Sequence, residues 1–117
     1  MKNIGIYLLA GLMILGAIGH LVSPQFYAPM VPDFIPLALA NIASFVVELA
    51  IGMGLIFPST RRLAGLGFAL LMVAFLPIHV WDLLRDDPAI GSFSAAVIRL
   101  VLQFGLIYVG YRIWKRG

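Results

Sequence analysis

Residues 37–57, LALANIASFVVELAIGMGLIF, carry one ionisable side chain, Glu48, in a run that is otherwise almost wholly apolar. A helix rises about 1.5 Å per residue, so about 20 such residues cross the roughly 30 Å of hydrocarbon in a bilayer. Three more stretches meet that requirement: residues 4–22, 63–84 and 89–114. Helix breakers separate them, with Ser23-Pro24, Pro29, Pro32 and Pro36 first, then Pro58-Ser59-Thr60, then Arg85-Asp86-Asp87-Pro88. The pattern predicts an all-α chain, a single domain over residues 1–117, folded as a bundle of four transmembrane helices.

Composition agrees. Hydrophobic residues make up 62% of the chain, its mean hydropathy is +1.05, and only 11% of residues are charged, too few to coat a small particle in water. The absence of cysteine excludes disulfides, thiol nucleophiles and iron–sulfur ligation by this chain. Basic residues gather at Lys2, at Arg61-Arg62 and at Arg112, Lys115 and Arg116, whereas the first connection has none. The positive-inside rule then places both termini and the second connection in the cytoplasm, as expected of a multi-pass protein of the cell membrane. Tyr7, Phe26, Tyr27, Trp81, Tyr108, Tyr111 and Trp114 fall mostly near span ends, where amphipathic rings favour the headgroup layer. A signal peptide over residues 1–22, cleaved near Ala17-Ile18-Gly19, is the competing reading of the first span, and it would break that charge symmetry.

Polar residues inside the spans are expensive in lipid and mark function or interhelical pairing. Glu48 and Arg99 each lie about ten residues into a span from the same side, about 15 Å deep, so the reading pairs them at the midplane. Asn41, Ser44 and Glu48 share one helix face at i, i+3 and i+7, and Gln103 follows Arg99 by one turn. His20 ends the first span, and His79 and Asp82 stand near the end of the third. A candidate ligand-binding set follows: His20, Asn41, Ser44, Glu48, His79, Arg99 and Gln103. No catalytic residue can be assigned. A metal held by His20, His79 and Glu48 or Asp82 is conceivable by ligand type, but nothing in the spacing requires it, and none is assigned. Single histidines at helix ends are more often interfacial, so only the convergence of these residues points to a site.

Pro77 is expected to kink the third span. The glycines suggest close helix approach. The proline-rich first connection also carries Phe26, Tyr27, Met30 and Phe34, and is expected to fold over the outer mouth of the bundle as a lid.

Gly19-His20, Pro24, Tyr27, Val31-Pro32 and Pro36, then Glu48-Leu49, Gly52, Gly54-Leu55, Pro58, Thr60-Arg61-Arg62 and Ala64, then Pro77, Arg99 and Gln103 together resemble the DoxX-like family of small four-span membrane proteins. Leu21, His79 and Val101 depart from its pattern. The resemblance implies the four-span fold over nearly the whole chain, and a link to membrane redox assemblies, since the family is named for a subunit associated with quinone-linked sulfur oxidation. It does not carry an activity across.

The first functional expectation is a non-catalytic module that binds a small, partly apolar ligand, quinone or lipid-like, in an intramembrane polar pocket, as a subunit of a redox assembly or as a homo-oligomer. No covalently bound cofactor is expected; a quinone is the cofactor such a pocket would suit. The second is a proton-coupled carrier or membrane enzyme in which Glu48 titrates. The third is a structural membrane subunit. Nucleic-acid binding has no support, because the bilayer topology accounts for the basic residues.

Overall fold

The computed structural model describes residues 2–85 and 92–116. Helix α1 spans Lys2–Val22, α2 spans Leu37–Ile56, α3 spans Arg61–Leu84 and α4 spans Phe93–Arg116. All four are long and apolar enough to cross a membrane. The fifth helical element corrects the expectation of a loop between α1 and α2: Pro24–Met30 form a 3₁₀ helix. Asp86, Asp87, Pro88 and the start expected for the fourth span at residue 89 lie outside the described residues.

Local chemistry sets the ends. Ser23 precedes a proline, which disfavours helical backbone there, and it sits at φ −131° just after α1. Thr60 Oγ1 donates to Gly54 O at 2.7 Å, and Arg61 donates to Leu55 O and Ile56 O at 2.9 and 3.0 Å. These carbonyls close α2 without intrahelical partners, and a cation suits the negative end of the helix dipole. Ser92 Oγ accepts from Ala95 N–H at 3.1 Å, capping the start of α4. Helix α3 remains helical across Pro77.

The helices pair as two antiparallel hairpins, α1 with α2 and α3 with α4, joined through α2 and α3. The long axis is 43 Å, enough to span the hydrocarbon. The inside-out distribution of side chains is the mark of a lipid solvent. His20, Asn41, Glu48, Arg61, Asp82 and Gln103 are buried, while Leu8, Leu12, Leu39, Ile42, Leu70, Val101, Leu102 and Phe104 face outward. Hydrocarbon offers no hydrogen bonds, so polar groups turn inward and apolar ones can stay outside.

The α3–α4 hairpin is closest where glycines meet. A Cβ on Gly110 would lie 2.8 Å from Ala69 N and 2.9 Å from Gly65 O, backbone atoms that cannot move aside. Gly110→Val should therefore destabilise the bundle by about 1–3 kcal/mol through overpacking. Gly105, with nothing within 4 Å, should accept Ala without loss. Thermal unfolding of the two variants in the same detergent checks this; equal stability would contradict the close approach.

Candidate functional site

The cavity arises from a stagger between α1 and α2. Gly16 faces Glu48, since a Cβ there would lie 2.7 Å from Oε1, and Gly52 faces Ala10, Met13 and Ile14. With that register α2 runs on past the end of α1 by about five residues, or about 8 Å. The 3₁₀ helix and the residues after it fill this step. Tyr27 stacks on His20 with ring centroids 3.8 Å apart and planes at 21°. Gly19 makes room for it, because a Cβ there would lie 2.8 Å from the Tyr27 hydroxyl. Burial, and then the neighbouring Glu48, push the Tyr27 phenol above its ordinary pKa of 10, so it stays protonated.

Directionality runs from backbone to carboxylate. Asn41 Nδ2 donates to Pro24 O at 3.2 Å, and a carbonyl can only accept, so the amide orientation is fixed. Its Oδ1 then accepts from His20 Nδ1–H at 2.7 Å. The other ring nitrogen, Nε2, lies 3.0 Å from Glu48 Oε2. One proton bridges these two atoms, either as imidazolium and carboxylate or as imidazole and carboxylic acid. Both forms leave the pair neutral overall, which is how an acid is tolerated about 16 Å along a spanning helix.

These residues line one side of a cavity of about 310 Å³. Its polar wall is His20, Tyr27, Asn41, Ser44, Glu48 and His79. Met30, Val31, Pro32, Ile35, Phe75 and Ile78 supply most of the apolar remainder. His79 Nδ1 is buried with no hydrogen-bond partner among the described residues.

The expected pair between Glu48 and Arg99 is not formed. Arg99 Nη2 instead donates to Asp82 Oδ2 at 2.6 Å, and Arg85 Nη1 donates to Asp82 Oδ1 at 3.0 Å. The reason is the start of α4. Ser92 caps the helix, so Arg99 stands only about six residues in, about 9 Å, while Glu48 is about 16 Å along α2. That shallower level is the one Asp82 occupies, near the end of α3. The sequence reading noted Asp82 beside His79 but missed its partner; the cap at Ser92 was the available signal.

Asp82 is fully buried, at 0% exposure, and its two guanidinium partners also reach the 3₁₀ helix. Arg85 Nη1 donates to Pro29 O at 2.7 Å, and Arg99 Nη1 lies 3.2 Å from Met30 Sδ. The group thus ties the segment that covers the cavity to α3 and α4. Of the seven candidate residues, His20, Asn41, Ser44, Glu48 and His79 share the cavity lining, and Arg99 and Gln103 do not. Gln103 Nε2 donates to Met72 O at 2.7 Å and holds α4 to α3. Among the described residues no group of three His, Asp or Glu side chains could hold a metal ion.

Asp82→Asn should destabilise the protein by roughly 3–5 kcal/mol, because it leaves two partly buried guanidiniums without their carboxylate. The double variant D82L/R99M should recover most of that loss. Unfolding in detergent measures both, and a D82N protein as stable as the parent would refute the bridge.

Residues 9–114 match the family model of a domain of unknown function, DUF8561. No curated protein and no solved structure matches the chain.

Proposed function

The chain belongs to the DUF8561 family, and we propose that it is a non-catalytic membrane module that binds a small amphiphile, a quinone or lipid-like molecule, in the cavity beneath the 3₁₀ helix. One observation carries this reading: a 310 Å³ space with mainly apolar walls has the His20, Asn41 and Glu48 hydrogen-bonded row along one side and His79, whose Nδ1 has no partner among the described residues, in its lining. Ligand sites are typically apolar spaces of that order with a few fixed polar groups that orient the occupant. A quinone carbonyl or a lipid ester would accept from an imidazole N–H, and its greasy body would lie against Met30, Ile35, Phe75 and Ile78.

In this reading the termini and the Arg61-Arg62 turn face the cytoplasm and the proline-rich segment is the outer lid, as the distribution of basic residues favours. The DoxX-like resemblance of the sequence, and a place as subunit of a redox assembly, belong to the same proposal.

A short-chain ubiquinone analogue, titrated into the detergent-solubilised protein, provides the test. Binding should weaken at least tenfold in H20A and in Ser44→Phe, whose ring would fill the space. Unchanged binding in both, or no binding of the analogue or of any co-purified lipid, would overturn the proposal.

The proton shared between His20 and Glu48 favours a second reading, a proton-coupled carrier with Glu48 as the titrating group. It expects proton flux into vesicles that disappears in E48Q; flux equal in the two proteins excludes it.

A further inference from the structure

At the opposite end of the bundle lies a second feature, a groove of about 770 Å³ between α1 and α4. The hairpin arrangement leaves it open, because α1 packs chiefly on α2 and α4 chiefly on α3, and α1 and α4 do not pack extensively together. Along its length the walls are apolar: Leu8 and Leu12 are 65% and 67% exposed, with Val109 opposite. At its mouth stand three guanidiniums, Arg61, Arg112 and Arg116.

Among the described residues, their surroundings hold no counter-charge. Arg61 is only 6% exposed, and it donates to the carbonyls of Leu55 and Ile56 and to the Tyr7 hydroxyl, at 2.9, 3.0 and 3.4 Å. Arg112 Nη1 donates to the Tyr108 hydroxyl at 2.7 Å. Among the described residues, none of the three has a carboxylate within ion-pairing distance, whereas Arg85 and Arg99 both do. Two tyrosines therefore hold cations in place without neutralising them.

We propose that this groove is a specific site for one anionic phospholipid, its phosphate at the three arginines and an acyl chain lying between Leu8, Leu12 and Val109. Charge complementarity selects the occupant. A guanidinium fork matches phosphate oxygens in two-point contacts, and a site that is cationic at the headgroup level and apolar below matches a lipid better than a free anion. Annular lipid would respond to charge anywhere on this face; a built site responds to these residues alone. Arg62 and Lys115 supply that comparison, since they are at the same end but outside the groove, bonded to Trp114 O and set over the Trp114 ring.

The experiment adds phosphatidylglycerol or phosphatidylcholine to the full-length protein in neutral detergent and counts retained lipid by native mass spectrometry. The parent should retain phosphatidylglycerol about tenfold over phosphatidylcholine. R112Q/R116Q should lose that preference, R62Q/K115Q should keep it, and L8W/L12W, which fills the apolar length with all arginines intact, should retain less of either lipid. Inorganic phosphate at the same concentration should not displace the lipid. Equal retention of the two lipids by the parent would overturn the proposal, as would equal losses in the two charge variants. Displacement by phosphate alone would reassign the mouth to a free anion, and a doubled mass abolished by R112Q/R116Q would reassign the groove to a second copy; both refute the lipid site.

Discussion

In hydrocarbon a carboxylate or guanidinium has no water to solvate it, and a charged side chain on a spanning helix must find its partner inside the protein. This constraint organises the bundle. Glu48 is met by His20, and His20 by Asn41, which reaches back to the Pro24 carbonyl. Asp82 is met by Arg85 and Arg99, which in turn hold the 3₁₀ helix through Pro29 and Met30. Both networks end on the same short segment, so satisfying the buried charges also closes the cavity. Polar satisfaction and the shaping of the cavity are one event here.

The spans were legible because hydropathy and length are nearly sufficient in a bilayer. Residues 37–57 need no tertiary information to be read as a crossing, and the structure's α2 ends one residue short of that reading. The polar stripe of Asn41, Ser44 and Glu48 was legible for the same reason, as it follows from helical spacing alone. Pairing was harder, because it depends on relative depth. Taking α4 to begin at residue 89 rather than at the Ser92 cap put Arg99 too deep by one turn, which made Glu48 look like its partner and hid Asp82. The 3₁₀ helix was illegible, since four prolines announce a break but not the compact turn that stacks Tyr27 on His20.

The two ends of the bundle solve different problems with similar means. At the 3₁₀ end, glycines at positions 16 and 19 leave space for the Glu48 carboxylate and the Tyr27 hydroxyl, so small residues make a polar cavity where they would ordinarily only bring helices together. At the Arg61 end, the last carbonyls of α2 and two tyrosine hydroxyls position cations at the groove between α1 and α4. The centre between them is packed with Met13, Leu55, Phe68 and Met72, which keeps the two spaces separate.

The central claim is that His20 neutralises Glu48 while Asp82 neutralises Arg99, within one lipid-facing bundle. The most direct measurement is an experimental density map of the protein in a lipid nanodisc, resolved well enough to place side chains. The expected map has the His20 ring between Asn41 and Glu48, and Asp82 between Arg85 and Arg99. A map that joins Glu48 to Arg99, or turns either side chain toward lipid, would contradict it.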